Sequence, residues 1–454
     1  MCPSGAATAG RKRKGASGRP PTGSKRRRAP EPEPAQEASG WASLPTDIAG
    51  LVSGRLLGED VVDYLTIRAV CSGWRASTSD LGILALSKPQ LRPRGWIALC
   101  DGDGAPLDGA GEITLFNTRT ARRLRVRLPD LRCHRVVGFT DGLVILLHKR
   151  TTAVRVVHPF TLATVQLPPL APAFRSAIKD REALFSMSAF VCSSPTAPFS
   201  VVARFPWRPM VLWTQPGRLR WEVIHHGMVE LQNLLPFQGM LFAITKWREE
   251  IVMVYPPRKI SMAYSSLADP SICREYLVEV AGRMMLVLQL GNDDRACPKY
   301  AFRIFEVDIW RQKLLPICNL GSRALFLNSD RCLCVPTMSL PSLCSNSVYF
   351  SLPSSPAVMQ SLSSVLSEDL AALCQIHDMK EKTRPSVRPF TIAHHLLTYC
   401  NHMEWARGLM FHEYHYIPDS FQELKKKIKA HCSQVHIPRT GSGTGGSKAK
   451  RCHN

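Results

Sequence analysis

Short apolar runs separated by Gly, Pro, Asp and Asn fill the chain from about residue 92 to 378, the texture of strands joined by tight turns. The runs recur. Gly95-Trp96-Ile97-Ala98-Leu99 is followed 46–47 residues later by Gly142-Leu143-Val144-Ile145-Leu146, and about 47 after that by Ala189-Phe190-Val191. Gly239-Met240-Leu241-Phe242-Ala243 and, 43 residues on, Gly282-Arg283-Met284-Met285-Leu286 continue the series, with Ser347-Val348-Tyr349-Phe350 a later, displaced member. A second motif repeats with the same internal order: Ile113–Asn117, Thr120 and Leu128-Pro129 are echoed by Val154–His158, Thr161 and Leu167-Pro168-Pro169. A period near 45 residues is that of a four-stranded propeller blade, an open sheet that closes only by packing in a ring. Residues 90–378 therefore predict a mainly β fold, a β-propeller of about six blades, with seven also compatible with the period.

Both flanks switch to helical spacing. Over 41–80, Leu44-Pro45-Thr46-Asp47-Ile48 suits a helix start, and Ile48, Leu51 and Val52 follow at i, i+3 and i+4. Gly58 is expected to interrupt. Asp60 then caps a second helix bearing Val61, Val62, Leu65 and Ile67, and a third piece runs through Val70, Cys71 and Trp74. So few residues make a very small core, so this unit needs a partner to cover its apolar face. A C-terminal helical extension is predicted over 385–432. Ile392, Leu396 and Leu397 share one face, Trp405, Leu409 and Met410 follow, and Ser420 with Glu423 forms a capping box for a last helix bearing Phe421, Leu424 and Ile428.

Charge changes the picture at the two ends. The net charge is +22. Residues 1–40 hold nine Lys/Arg against three Glu, and residues 378–454 hold thirteen against six acids, leaving a modest density over the body between them. The first segment is rich in Gly, Ala, Pro and Ser without apolar periodicity and is expected to be a disordered basic tail; 433–454 is expected to be a flexible one. Arg11-Lys12-Arg13-Lys14 and Lys25-Arg26-Arg27-Arg28 have the form of a bipartite nuclear import signal, so a nuclear protein, also present in the cytoplasm, is expected. The N-terminus shows no secretory pattern and no run of about 18 apolar residues occurs, so no membrane association is expected. The fifteen cysteines are scattered, without CxxC pairs, and are expected to be reduced thiols, most of them buried.

Catalytic chemistry finds no motif. Gly102, Gly104, Gly109 and Gly111 mark a hairpin turn, since no P-loop Lys-Ser/Thr follows them. Cys400, His402, His412, His415, His431 and Cys432 cluster in sequence, but His412-Glu413-Tyr414-His415 brings its second histidine one position too early for a zinc helix. No catalytic residue, cofactor or metal site is therefore predicted. Trp207-Arg208 and Trp247-Arg248 lie beside turns and combine the two residue types that dominate interface hot spots, which makes them candidate target contacts. The basic tails lack aromatic-basic interleaving, so sequence-specific nucleic-acid recognition is not expected.

Leu44-Pro45-x-Asp47-Ile48, Arg55-Leu56, Asp60 and Arg68-Ala69-Val70-Cys71-x-x-Trp74-Arg75 stand in the order and spacing of an F-box, which this segment resembles. Residues 90–378 are similar to the KIB-type propeller found in many plant F-box proteins. The resemblance rests on Tyr276–Glu279 with Gly282–Val287, then Phe302–Asp308, Leu320–Leu327 and Asn346–Phe350 in sequence order. It implies that Leu44, Pro45, Ile48, Leu51, Leu56, Val61, Leu65, Val70 and Trp74 supply the fold and surface bound by a Skp1-type adaptor. Through that adaptor the chain would join a cullin-based ubiquitin ligase as its non-catalytic, target-recruiting subunit. The alternative is a nuclear, non-enzymatic protein-binding or chromatin-associated factor whose F-box no longer engages an adaptor.

Overall fold

The computed structural model describes residues 40–409 apart from stretches within connections, of which 101–110, 174–185, 292–299, 362–373 and 376–390 are the longest. The two basic tails, the import clusters, the glycines at 102, 104 and 109, and the helix expected around Ser420 lie outside the described residues.

Six sheets form the body, which decides the blade count against seven. Blade 1 holds β1 (Trp96–Leu99), β2 (Glu112–Asn117) and β3 (Arg123–Arg127). Blade 2 holds β4 (His134–Thr140), β5 (Leu143–His148), β6 (Ala153–Val157) and β7 (Thr164–Pro169). In blade 3 come β8 (Ser188–Cys192), β9 (Ser200–Phe205), β10 (Met210–Thr214) and β11 (Glu222–His226). Blade 4 has β12 (Leu231–Phe237), β13 (Met240–Thr245), β14 (Glu250–Tyr255) and β15 (Ser261–Ala263). Blade 5 has β16 (Ile272–Val280), β17 (Arg283–Gly291), β18 (Tyr300–Asp308) and β19 (Lys313–Ile317). Blade 6 departs from the meander. Its β20 (Arg323–Leu327) pairs antiparallel with β21 (Leu333–Pro336) and parallel with β22 (Ser347–Ser351), which leads to β23 (Ala357–Ser361) and β24 (Cys374–Gln375).

The recurring glycine has a backbone reason. Gly142, Gly239 and Gly282 end the turn between the first and second strands of blades 2, 4 and 5, with φ of 76°, 78° and 79°, each after a residue that also has positive φ. Two successive left-handed residues make the turn whose twist suits a two-residue hairpin. Gly95-Trp96 is thus the second strand of a blade that, among the described residues, lacks its first. Ala189–Val191 is a correction to the repeat: it lies in β8, a first strand, because blade 3 joins its first two strands by a longer connection.

That missing strand is replaced by helices. The first strands β4, β8, β12 and β16, with β21 of blade 6, pack side by side around the centre. Between β21 and β4 the ring is filled by α5 (Ile392–Cys400) and α6 (His402–Leu409), which pack on β1, β4, β20 and β22. Trp405 is fully buried, and its Nε1 donates to the Ala98 carbonyl at 2.8 Å on the edge of β1 opposite β2. His402 Nε2 meets the Met187 carbonyl at 2.7 Å, just before β8, and Arg331 lies over the rings of Tyr399 and Trp405. The helical extension therefore closes the propeller. Leu396, Leu397, Tyr399 and Cys400 join Trp405 in the core shared by blades 1, 2 and 6.

Of the ten cysteines whose burial is described, three are buried, three half-buried and four exposed, against the expectation that most serve as buried apolar groups. No described helix is long and apolar enough to cross a membrane.

Candidate protein-interaction site

The N-terminal unit is built from α1 (Thr46–Glu59), α2 (Val61–Val70) and α3 (Ser72–Ala76), followed by α4 (Leu84–Ser87) and a single 3-10 turn at Pro89–Leu91. Gly58 lies inside α1 and does not break it; the helix ends at Glu59 instead. Asp60 begins α2 as expected, its Oδ1 accepting from the Val62 N–H at 2.9 Å. The unit also reaches past residue 80. Its small core joins Tyr64 to Leu81, Ala85 and Leu91, with Leu57 and Leu65 packed against them, so the segment before β1 belongs to it.

Polar anchors fix this unit to the ring. Asp60 is buried, and its carboxylate also accepts from Trp96 Nε1 at 2.8 Å and Asn117 Nδ2 at 2.9 Å. Arg122 pairs with Asp63 at 2.6 Å. Arg92, 4% exposed, donates to the Leu86 carbonyl and to Asp141 Oδ2 at 3.1 Å. His158 Nε2 faces the Leu91 carbonyl at 3.1 Å, and its Nδ1 accepts from the Thr161 N–H at 3.2 Å, which together require a proton on Nε2. Burial lowers its pKa to about 4, so the ring is neutral at physiological pH. The propeller ends of these contacts lie at the start of β1, the end of β2, the β2–β3 turn, the β4–β5 turn and the β6–β7 turn. All belong to the face carrying first-to-second and third-to-fourth strand turns.

Elsewhere the unit leaves large apolar side chains uncovered by the described residues. In α1, Ala49 and Ser53 point inward, while Ile48 and Leu51, three residues apart, point outward with 41% and 71% exposure. Val70 at the end of α2 is 57% exposed and Trp41 74%. Trp74 is half-buried, and its Nε1 donates to the Trp41 carbonyl at 2.9 Å, which holds the entering chain against α3. Of the residues predicted for an adaptor surface, Pro45, Ile48, Leu51 and Val70 are exposed, and Leu44, Leu56, Leu65 and Trp74 are half-buried. Val61 is a correction: at 3% exposure it packs inside the molecule and offers no surface.

On the other face of the propeller, a polar cavity of about 110 Å³ is lined by Ser186, Ser188, Arg204, Asp330 and His402, among others. Asp330 Oδ2 accepts from the His402 N–H at 3.1 Å, and Arg204 donates to the Leu231 carbonyl at 2.6 Å. Burial raises the Asp330 pKa and lowers that of His402 to about 3. Nothing in the sequence signalled this grouping, because its members come from blade 3, blade 6 and α6. Arg248 lies exposed in the β13–β14 connection, whereas Trp207, Arg208 and Trp247 lie outside the described residues. Among the described residues no group of three or more His, Cys, Asp or Glu is gathered as a metal site would need.

Comparison with curated proteins finds no match. Among solved structures, the chain is similar to Hsv2 of Kluyveromyces marxianus at 9% identity and a TM-score of 0.23, over 46% of this chain and 64% of that one. A Bacteroides thetaiotaomicron protein of unknown function aligns at 8% identity and 0.28, over 55% and 64%. The Malassezia sympodialis allergen Mala s 1 aligns at 10% and 0.25, over 59% and 90%. The chain thus spans just under two thirds of the length of the first two. The family profile described as the KIB1-4 beta-propeller matches residues 95–380, from the turn before β1 to a point between β24 and α5. The closing helices α5 and α6 lie beyond that match, and the N-terminal unit precedes it. With well over half of its length so matched, the chain belongs to the KIB1-4 beta-propeller family.

Proposed function

We propose that this chain is the target-selecting, non-catalytic subunit of a Skp1-cullin-F-box type ubiquitin ligase. The helical unit over residues 44–76 would hold the Skp1-type adaptor, which links to the cullin, and the propeller would hold a target protein. Rate enhancement would come from bringing target and ubiquitin-loaded enzyme together, not from groups on this chain. The observation that carries the reading is the exposure of Ile48, Leu51 and Val70 on α1 and α2, and of Trp41 just before them, in a unit that polar contacts lock to blades 1 and 2. Covering a large apolar side chain is worth about 1.5–3 kcal/mol, so four of them favour a partner strongly. A rigidly docked unit also fixes where such a partner would stand relative to the ring.

The test is recovery of a purified Skp1-type adaptor on the immobilised full chain. Wild type should retain it, and Ile48→Asp/Leu51→Asp should lose it. Failure of wild type to retain the adaptor rejects the reading. The import role of Arg11–Lys14 and Lys25–Arg28 is checked separately by deleting residues 11–28; an unchanged nuclear signal refutes it.

A further inference from the structure

Among the described residues, each blade from 1 to 5 ends in an outer strand whose far edge has no strand partner. Proteins blunt such edges with proline or by keeping them short. Here β7 carries Pro168 and Pro169, β19 carries Pro316, and β15 has three residues. β3 has neither device: Arg123-Leu124-Arg125-Val126-Arg127 keeps every backbone N–H. The proline-free β11 offers Glu222 and no row of cations.

The side chains of β3 divide by strand period. Leu124 and Val126 pack on the core between blades, and Arg123, Arg125 and Arg127 are exposed, spaced about 7 Å apart by strand geometry. Exposed Arg119 and Arg122 continue the series into the preceding turn. From Ile113 to Pro129 the sequence holds five arginines and no acid. Among the described residues, the ion pair found in this set is Arg122 with Asp63, and the carboxylate on the neighbouring strand is Glu112, opposite Arg127 in register.

We infer that β3 is a docking edge for an extended acidic peptide, which adds as a further strand to blade 1 and sets carboxylates at every second position against Arg123, Arg125 and Arg127. Backbone hydrogen bonds to the open edge would supply affinity, and the alternating ion pairs would supply selectivity. The same charges resist pairing with β3 of a second copy, where two arginine rows would meet. A single-stranded nucleic acid is the less suited occupant. Such strands bind largely by stacking bases on exposed aromatics, and the aromatics of blade 1, Trp96 and Phe116, are both buried. This inference does not depend on the adaptor reading.

The experiment uses the full chain and three fluorescent probes: a decapeptide alternating Glu and Thr, its Gln-Thr counterpart, and an oligothymidylate of equal charge. The Glu peptide should bind, weaken with salt, and lose at least tenfold in affinity for Arg125→Gln/Arg127→Gln, whose circular dichroism should match wild type because both sites are exposed. Hydrogen exchange at residues 123–127 should slow when the peptide is added. Equal binding of the Gln peptide, an unchanged affinity in the double variant, or unchanged exchange in β3 overturns the inference. Tighter, arginine-dependent binding of the oligothymidylate overturns it in favour of nucleic acid.

Discussion

Two helical units flank the ring, and they meet it in opposite ways. In the C-terminal pair, Leu396, Leu397, Tyr399 and Trp405 are all buried against blades 1, 2 and 6. The N-terminal unit has its polar groups satisfied by the ring through Asp60, Arg92 and His158, yet leaves Trp41, Ile48, Leu51 and Val70 in solvent. Helical spacing in the sequence is the same kind of signal in both cases. What separates them is what each meets: among the described residues blade 1 has no inner strand, and α5 and α6 are taken up into the core there, while α1 and α2 rest on one face of the ring. Changes inside the C-terminal pair are therefore expected to cost fold stability, and changes at the exposed apolar positions of the N-terminal unit to leave it nearly intact.

The largest expected effect follows from Trp405. Trp405→Ala empties a fully enclosed site and removes the Nε1 donor from the Ala98 carbonyl, which should cost about 3–5 kcal/mol in denaturant unfolding. Ile48→Ser/Leu51→Ser alters exposed positions and should stay within about 1 kcal/mol of wild type. Equal losses in the two variants would erase the contrast.

Asp60 joins the second unit to the ring and ranks next. Asp60→Ala leaves Trp96 Nε1, Asn117 Nδ2 and the Val62 N–H without their acceptor, and should cost about 3 kcal/mol. Limited proteolysis should then cut within residues 46–91 before it cuts the sheets. A variant that resists protease as well as wild type would show that the unit is held by other means.

Part of this contrast was legible beforehand. Period-two apolar runs bounded by glycine gave the ring and its period, because a hairpin with two left-handed residues demands that glycine at Gly142, Gly239 and Gly282. Blade 3 lacks that glycine, and the period alone puts Ala189–Val191 in line with second strands where the sheet has it in the first, β8. The helical spacing around Ile392 and Trp405 was readable, but its purpose was not. Purpose depended on a strand absent three hundred residues earlier, which local pattern does not encode. The alternation of Arg with Leu and Val in β3 was visible in the sequence as a period of two, and only the sheet order shows that it lies on an open edge.

Buried imidazoles sharpen the comparison by pH, since one lies in the ring against the N-terminal unit and one inside the C-terminal pair. His158, against the N-terminal unit, is held to about 4 and His402, in the C-terminal pair, to about 3, both by burial. An unfolded chain protonates histidine near pH 6.5. Between that value and the lowered ones the unfolded state binds more protons, so stability is complete above about pH 6.5 and falls as pH drops, by up to about 1.4 kcal/mol per unit for each ring. Unfolding measured from pH 7 to 5 should show that slope, and His158→Gln should reduce it. Asp330, Glu275 and Glu279, whose pKa values desolvation raises, oppose this slope, so the test is the difference between variant and wild type: an unchanged slope in His158→Gln would mean that this ring does not stay neutral in the folded state.

Glycine gives the smallest effect, and it differs in sign between the two units. Gly54 lies on the exposed side of α1, and a Cβ there would meet no heavy atom within 4 Å. Gly54→Ala therefore only removes backbone freedom from the unfolded chain and should stabilise by at most about 1 kcal/mol. Gly408 in α6 is pressed on blade 1, where a Cβ would overlap Cys100 Sγ. Gly408→Ala must push α6 off the edge of β1 or displace a buried thiol, and should cost about 1–3 kcal/mol. The same methyl thus reads out whether a helix is covered by its own chain. Matching signs in the two variants would mean that α6 sits more loosely on β1 than its buried tryptophan requires.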